Sequence, residues 1–377
     1  LCADYIQEIE NKLGIPTMGR AERFPEIFEY LMKLSIERPI TLFIDEFQEF
    51  FKVNKSVYSD MQRIWDMYHT KAHINLIVCG SIFSMMTKIF KDKKEPLYNR
   101  QTRFMSIKPF TPAVLKEIMA EYNPNYTSED LLALYSFTGG VAKYVQLLVD
   151  AGATTKTKML NHIIKADSVF LGEGKAILIE EFGKDYGVYF SILSAIARGK
   201  TLRSEIEQIV GREIGGYLTK LEKEYEVITK NQPIFEKSST KNVRYTIEDN
   251  FFTFWFRFIY KYNYMLEIEN YDAVKTIINR DYETFSGKML ERYFKRVLME
   301  SKAYTRIGSW WDRKGENEID IVAENELNNE AVFIEVKRKE DNFDAIALNE
   351  KVDVFTRATG KFKDYDVSQK GLSMTDM

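Results

Sequence analysis

The sequence predicts a multi-domain chain of the α/β plus α class. Strands and helices alternate over the first third, the middle is mostly helical, and strands return near the C-terminus. Such alternation is typical of α/β folds with a parallel sheet, and a following run of helices indicates further domains. The 377 residues suffice for about two to three domains of ordinary size.

The composition is that of a globular protein and excludes several classes. Hydrophobic residues make up 45% and charged residues 29%. The net charge of -3 gives no overall attraction to nucleic acid, so any DNA contact depends on local patches. Cys2 and Cys79 are the only cysteines, which excludes a disulfide framework and indicates a reducing, cytoplasmic compartment. No run approaches the roughly 20 apolar residues of a membrane span.

In the first part, the spacing of apolar residues predicts helices around buried strands. Pro39 to Ile44 is a nearly continuous apolar run, which favours a strand covered on both faces. A second apolar run ends at Cys79, and Phe104 to Pro109 is expected to form a third strand. The predicted helices cover residues 1–13, 23–36, 57–71 and 82–90, and the strands 39–44, 74–79 and 104–109.

Beyond residue 110 the pattern predicts helices with two groups of strands. The signal from 111 to 181 is helical, with a break at Gly139-Gly140. Three helices and a hairpin follow in the order of a winged helix-turn-helix. From Glu283 the chain predicts helix, strand, hairpin, strand and helix. The remaining predicted bounds are helices at 188–197, 202–210, 212–223, 252–262 and 265–279, and hairpin strands near 225–230 and 242–247.

The third helix of the predicted winged module has a balanced charge. It carries Arg212, Lys220 and Lys223, but three glutamates lie in the same stretch. A DNA-reading helix and a module used only for packing or protein contact therefore both stay open.

Two acids, Asp45 and Glu46, end the first predicted strand and resemble a Walker B element. In that element the first acid holds magnesium and the second polarises the attacking water. Ser81 ends the next strand at a comparable height and could contact the terminal phosphate. Arg100 and Arg103 follow in a loop and could neutralise phosphate charge. The alternative is that Asp45 caps the following helix and Glu46 is simply solvated.

A phosphate-binding loop of the form G-x-x-x-x-G-K-S/T does not occur in the sequence. Gly199-Lys200-Thr201 has the last three residues, but Ser194 stands where the first glycine belongs, and the segment lies between two predicted helices. Because the chain starts at Leu1 within a predicted helix, we expect a fragment whose phosphate cradle lies upstream.

A second group of acids lies near the C-terminus. Glu335 and Lys337 are two apart in an apolar strand and therefore project to the same face. Asp320 is flanked by Ile319 and Ile321 in another strand, and a turn at Asn328-Asn329 lets the two strands pair.

Pairing of these strands would place two carboxylates together, which suits Mg²⁺. Lys337 would orient a water or offset charge on phosphorus, and Glu291, on a preceding helix, could add a ligand or hold one. The alternative is a surface salt bridge on an ordinary hairpin.

Taken in order, these segments resemble archaeal-type ATPases of the AAA+/STAND class, which also occur in bacteria. In that group an ATPase module precedes a winged helix and a C-terminal domain similar to the PD-(D/E)XK nuclease fold. The resemblance covers nearly the whole chain. The matching segments are Leu42–Phe47, Cys79–Ser81, Pro96–Arg100, Phe137–Tyr144, Tyr245–Asp249, Phe254–Phe258, Glu291, Glu318–Asp320 and Glu335–Lys337.

The resemblance implies four domains. They are a partial AAA+/P-loop ATPase core at 1–110, a helical lid at 111–182, a winged helix-turn-helix at 183–262 and a restriction-endonuclease-like PD-(D/E)XK domain at 280–377. It also implies ATP and Mg at Asp45 and Glu46, and a nuclease-like metal site at Asp320, Glu335 and Lys337. Two departures are the missing P-loop and Ala142, which replaces a proline common in the group.

Two functions from different classes stay open. In the first, ATP hydrolysis controls a Mg-dependent nuclease domain that binds or cleaves DNA. In the second, the protein is a nucleotide-dependent switch or scaffold with a catalytically inactive nuclease-like domain. The expected partners are DNA and, in a longer parent protein, ATP. A homo-oligomer stays open, and no membrane partner is expected.

Overall fold

A computed structural model gives the fold and describes residues 2–14, 19, 21–237 and 239–377. The chain separates into two compact units, Leu1–Ser106 and Ile107–Met377. In these described residues no helix is both long and apolar enough to cross a membrane.

Among its described residues, the first unit contains a parallel two-stranded sheet, five α-helices and a 3-10 helix at Phe47–Glu49. Each residue of the first strand pairs with one of the second, from Ile40 with Ile74 to Ile44 with Val78. One face of the sheet packs against a core centred on Phe28, Phe47, Met61 and Ile64. The elements are α1 Cys2–Leu13, α2 Phe24–Leu34, β1 Ile40–Ile44, α3 Phe50–Val53, α4 Ser56–Tyr68, β2 Ile74–Val78 and α5 Phe83–Lys91.

Two predictions for this unit are wrong. The opposite face of the sheet is not covered by the described residues, since Phe43 and Ile77 lie side by side and are 59% and 42% exposed. Residues 104–109 form no strand, because they pair with no neighbouring strand. Phe104 instead packs at the edge of the core with the Lys91 ammonium 3.9 Å from its ring centroid.

The second unit begins with helices and a short antiparallel hairpin. Local signals set several boundaries: Thr127 and Asp130 form a capping box, and Gly139 ends a helix in the left-handed conformation that glycine adopts without strain. The third helix before the hairpin starts at Gly215, later than predicted. The elements are α6 Pro112–Tyr122, α7 Ser128–Thr138, α8 Ala142–Asp150, α9 Lys156–Ile163, α10 Val169–Phe182, α11 Tyr186–Ala197, α12 Arg203–Val210, α13 Gly215–Lys223, β3 Ile228–Asn231 and β4 Arg244–Ile247.

An aromatic segment then crosses the centre of this unit. It consists of α14 Asn250–Phe254 and a π-helical stretch, Trp255–Tyr260. Phe254 and Phe256 are fully buried, and Phe254 packs at 4.7 Å between ring centroids on Phe137 of α7. This segment joins the helical part of the unit to the elements that follow it in the chain.

A long helix and a mixed sheet complete the second unit. After α15 Asn263–Glu267, α16 runs unbroken over 31 residues, where the sequence predicted two helices. The sheet order is β5-β6-β7-β8, with β8 parallel to β7 and the other pairs antiparallel. The elements are α16 Tyr271–Ser301, β5 Arg306–Trp311, β6 Glu318–Asn325, β7 Glu330–Val336, α17 Ala345–Thr359 and β8 Asp366–Leu372.

Helices cover both faces of this sheet. Ile334 and Val336 join the central core on the α16 side, while Phe333 packs with Leu348 and Phe355 of α17 on the other. The predicted pairing of β6 with β7 is confirmed, whereas β8 lies beyond the last predicted element. β7 therefore has a neighbouring strand on each edge and packed side chains on each face.

Two glycines of α10 give a matched test of the packing. A Cβ on Gly174 would lie 2.5 Å from the Trp255 ring, whereas one on Gly172 would meet nothing within 4 Å. We expect Gly174→Ala to lower the free energy of unfolding by roughly 1–3 kcal/mol through overpacking. Gly172→Ala should raise it by roughly 0.5–1 kcal/mol, because alanine favours helix. Urea denaturation measures both, and equal effects would contradict the packing.

Candidate functional site

The first candidate pair, Asp45 and Glu46, lies at the carboxyl edge of the β1–β2 sheet. Asp45 Oδ1 accepts hydrogen bonds from the Glu46 N–H at 2.9 Å and from the Cys79 thiol at 2.6 Å. Glu46 has a φ of 47°, in the left-handed region that a non-glycine residue rarely adopts. Such outliers cluster at functional sites, because the surrounding structure must hold them in place.

Ser81 is brought to this pair, as its position at the end of β2 predicts. Its hydroxyl donates to Glu46 Oε2 at 2.8 Å, and the Gln48 amide donates to the same oxygen. The hydrogen bonds from Gln48 and Ser81 hold the pKa of Glu46 below its usual range, and those from Cys79 and the Glu46 N–H do the same for the pKa of Asp45. Two ionised carboxylates therefore face the sheet edge, where a cation would be attracted.

The two predicted arginines lie elsewhere in the unit. Arg100 forms a bidentate pair with Asp66 of α4 at 2.9 and 2.8 Å, and donates to the Pro96 carbonyl at 2.8 Å. Arg103 is exposed and makes no ion pair among the described residues. In this structure neither side chain reaches Asp45 or Glu46, so the expected phosphate contacts from Arg100 and Arg103 are not preformed.

A β-bulge positions Asp320 in the second candidate site. Gly308 pairs with Val322 and Trp310 with Ile319, so Asp320 and Ile321 together lie opposite the single residue Ser309. The prediction that Asp320 lies in a strand is confirmed, but the bulge within that strand was not predicted. Bulges of this kind bend a strand and redirect a side chain.

The redirected Asp320 carboxylate reaches the neighbouring strand β7. Asp320 Oδ2 accepts a hydrogen bond from the Val336 N–H at 2.8 Å. The last regular pair of the two strands is Ile321 with Ile334, so Asp320 stands at the level of Glu335. Burial raises the pKa of Asp320, and the Glu335 charge raises it further.

Two lysines hold Glu335 from two different elements. Lys337 Nζ donates to Oε1 at 2.7 Å, and Lys351 of α17 donates to both carboxylate oxygens at 3.0 Å. Glu335 itself is 7% exposed. A buried charge needs such partners, because leaving it alone costs several kcal/mol, on the order of 3–5. The spacing of Glu335 and Lys337 predicts their contact, but nothing in the sequence marks Lys351.

Glu291 on α16 joins the cluster from the other side. Lys288, one turn earlier, contacts both of its carboxylate oxygens, at 2.9 and 3.1 Å. Burial raises the pKa of Glu291 to about 7, and the negative charge of Asp320 adds to this effect, whereas Lys288 opposes it. The structure thus brings together Glu291, Asp320, Glu335 and Lys337, and adds Lys288 and Lys351.

The donor set at this cluster fits a magnesium ion. Among the described residues, no three His, Cys, Asp or Glu side chains converge closely enough to form a metal site by themselves. Mg²⁺ is usually held by only one or two carboxylates and keeps several waters. Asp320 and Glu335 supply two hard oxygen donors that repel each other, so they suit one such ion.

A cleft of about 880 Å³ opens beside Asp320 and Glu291. Its walls are the β3–β4 hairpin, α16, the strands β5 and β6, and residues of α7, α11, α14 and the π-helical stretch. Seven of the lining residues are basic, namely Lys230, Arg244, Arg257, Lys288, Arg292, Lys295 and Arg296. Four are acidic, namely Glu248, Glu291, Glu318 and Asp320. The acidic cluster is therefore approached through a predominantly basic cavity.

Comparison with known proteins identifies the family. One family, described as an ATPase domain predominantly from Archaea, matches residues 6–148, and another, described as Archaea bacterial proteins of unknown function, matches residues 255–365. An uncharacterized protein of Methanocaldococcus jannaschii is 33% identical over 340 residues, which span 86% of this chain and 72% of that protein. The chain belongs to the archaeal-type ATPase family. Membership implies the use of a nucleotide, and usually of Mg.

Two further proteins match this archaeal-type ATPase chain over a shorter segment or with lower sequence identity. A second uncharacterized protein of the same organism is 34% identical over 56 residues, 15% of this chain and 54% of that protein. A Walker-type ATPase of Pyrococcus abyssi, a solved structure, shares 19% identity over 67% of this chain and 75% of that chain, with a TM-score of 0.47. That likeness is too distant to assign the fold.

The matched ranges of the archaeal-type ATPase chain each contain one candidate site. Asp45, Glu46 and Ser81 lie within 6–148. Asp320 and Glu335 lie within 255–365, together with Glu291 and Lys337.

Asp249, behind the cleft, gives a pH-dependent test of the surrounding electrostatics. Its carboxylate caps α14 at the Phe252 N–H, 3.0 Å away, and burial raises its pKa to about 6 despite Arg292 nearby. An acid whose pKa is raised on folding adds stability below its unfolded pKa, and that stability is lost as the pH rises through about 6. Asp249→Asn, which keeps a capping oxygen, should therefore be more stable than the parent near pH 8, by roughly 1–2 kcal/mol.

Urea midpoints near pH 4 and pH 8 measure this difference, which should nearly vanish at the lower pH. Asp272→Asn is the control, because the Asp272 side chain is 92% exposed. A gain at pH 8 in the control, or none in Asp249→Asn, would contradict the assignment.

Proposed function

We propose that this chain belongs to an ATP-driven protein whose residues 280–377 form a PD-(D/E)XK-like, Mg-dependent nuclease domain directed at DNA. One observation carries the proposal: the bulge in β6 sets Asp320 against β7 at the level of Glu335 and Lys337. Acid, acid and lysine on neighbouring strands are the groups that metal-assisted phosphodiester hydrolysis requires.

In this proposal each side chain has a separate role. Asp320 and Glu335 would hold the ion, and Glu291 would hold a water of its shell or support Asp320. Bound there, Mg²⁺ would acidify a water and polarise a phosphate oxygen. Lys337 would orient the attacking water or offset negative charge on the phosphate, and Lys288 would keep Glu291 in place.

The ATPase part of the proposal rests on the family and on the geometry at β1. Asp45 would bind Mg with the nucleotide, and Glu46 would polarise the attacking water. Ser81 holds Glu46 at 2.8 Å and lies where a terminal phosphate would be sensed. Residues 111–182 would serve as the lid, and 183–262 as the winged helix-turn-helix. ATP turnover would then control DNA binding or cleavage.

A second candidate function is a nucleotide-dependent switch or scaffold with an inactive nuclease-like domain. The observation that favours it is the occupation of Glu335, whose two oxygens are already bonded by Lys337 and Lys351. An ion would have to displace at least one ammonium group from that carboxylate. Under this alternative Lys337 and Lys351 neutralise Glu335 in place of a metal ion, and no ion binds there.

Cleavage of DNA by the full chain tests the nuclease proposal. We expect Mg-dependent cleavage that falls by at least about 100-fold in Asp320→Ala and in Lys337→Ala, because each removes a group that acts on the reacting phosphate. Gel assays with and without a chelator measure it. Asp341→Ala and Lys339→Ala, exposed neighbours of the same residue types, are the matched controls.

Calorimetric titration with Mg²⁺ separates the two candidate functions. Binding that is abolished in Glu335→Ala supports the enzyme. If the parent does not bind Mg²⁺, and if Asp320→Ala and Lys337→Ala do not change cleavage, the nuclease proposal is refuted and the switch is the function that remains.

The ATPase assignment has its own test in the protein that carries this chain. Glu46→Gln should reduce ATP turnover by at least about 100-fold while ATP binding is kept, because the amide cannot polarise water as a carboxylate does. Phosphate release measures turnover. Glu49→Gln, on the same turn but paired with Lys52, should hydrolyse ATP at the parental rate. Full activity in Glu46→Gln would refute the role of Glu46.

A further inference from the structure

The cleft beside Asp320 has two basic walls that come from different parts of the second unit. Lys230 and Arg244 lie on the β3–β4 hairpin, and Arg292 and Lys295 lie on α16. Asp320 lies at the boundary of the same cleft. The arrangement places these basic side chains in the same cleft as Asp320, one of the two candidate metal ligands.

The hairpin is fixed in this position by contacts with the sheet. Arg244 pairs with Glu318 of β6 at 2.9 Å and lies 4.4 Å from the Trp311 ring centroid. The Trp311 indole N–H donates to Asn242 at 2.9 Å. Because the hairpin packs on β5 and β6, its basic side chains form one wall of the cleft.

Three of the cleft cations form no close ion pair, although Glu248 acts on both Arg292 and Lys295 from further away. Within the described ranges, Lys230, Arg292 and Lys295 form no ion pair, although each lies in a partly enclosed position. Arg292 donates to the Asn250 side-chain oxygen, at 3.0 Å. Enclosed cations without a counter-charge in contact are costly, and an anionic ligand would bring negative charge into contact with them.

The size of the cleft limits what can enter it. About 880 Å³ lies within the range of roughly 300–1,000 Å³ that is usual for small-ligand pockets. A few nucleotides of one strand fit such a volume, whereas a duplex, whose major groove alone is about 12 Å wide, does not.

We propose that this cleft binds the phosphate backbone of a short single-stranded stretch of polynucleotide and leads it to Asp320. The inference rests on the proposed function for the class of substrate. It assigns the contact to the hairpin and α16, and not to α13, whose exposed Lys220 and Lys223 lie outside the cleft. DNA and RNA share the backbone chemistry, and the experiment includes both.

Fluorescence anisotropy with a short labelled oligonucleotide, as DNA and as RNA, tests the proposal on the full chain. A chelator is present, so that cleavage cannot interfere. We expect the double variant Lys230→Ala/Lys295→Ala to bind about 10-fold more weakly than the parent. Its salt dependence should also fall by roughly 1.4 log units per log unit of salt, because each single-strand phosphate that is no longer neutralised accounts for about 0.7.

The matched control is Lys220→Ala/Lys223→Ala, which removes the same charge from α13. It should bind within about twofold of the parent, since screening limits the effect of distant charges. Lys230→Arg/Lys295→Arg should restore binding, which excludes misfolding as the cause of the weaker binding. Equal losses in the two alanine pairs, no loss in the cleft pair, preference for duplex, or failure of the parent to bind either oligonucleotide would each overturn the proposal.

The cleft proposal and the nuclease proposal can fail separately. Asp320→Ala should bind the single strand at least as tightly as the parent, because it removes a negative charge beside the path. Cleft-dependent binding without cleavage would refute the nuclease alone. Full cleavage by the Lys230→Ala/Lys295→Ala variant would refute the cleft alone.

Discussion

Charge compensation around the bulge in β6 is the constraint on which the C-terminal half depends. Carboxylates from a helix and two strands meet there, and their mutual repulsion raises the pKa of Asp320 beyond the effect of burial. Three ammonium groups offset this repulsion: Lys288 on α16, Lys337 directly after β7 and Lys351 on α17. Of these pairs, Lys351 with Glu335 also ties α17 to β7, whereas Lys288 and Glu291 both belong to α16.

The aromatic segment between the helical part and the sheet gives this arrangement a rigid support. Phe254 packs on α7, and α16 runs from that core to the acidic cluster. Arg338, just beyond β7, donates to Ser286 of α16 and to Glu129 of α7, which ties the strand that carries Glu335 to both helices. The strand that carries Glu335 is therefore joined to the helical part by direct side-chain contacts.

Much of the candidate chemistry was predictable because it depends on short-range order. Strand ends and alternation place Ser81 beside Glu46, and Lys337 beside Glu335, as the spacing indicates. The prediction of a third strand at 104–109 was wrong, because an apolar run forms a strand only where a partner strand is available. Lys351 could not be found from the sequence, since an isolated lysine on a helix carries no signal of what it faces.

The amino-acid sequence was enough to show which residues carry charge inside apolar strands, where many of the helices begin and end, and which segments resemble an ATPase. The bulge at Asp320, the two lysines bonded to Glu335 and the basic cleft beside Asp320 became visible only in the three-dimensional structure. Sequence patterns report neighbours a few residues apart, because periodicity within one element follows from local backbone geometry. Contacts between distant elements depend on how whole faces pack, and no local pattern encodes that.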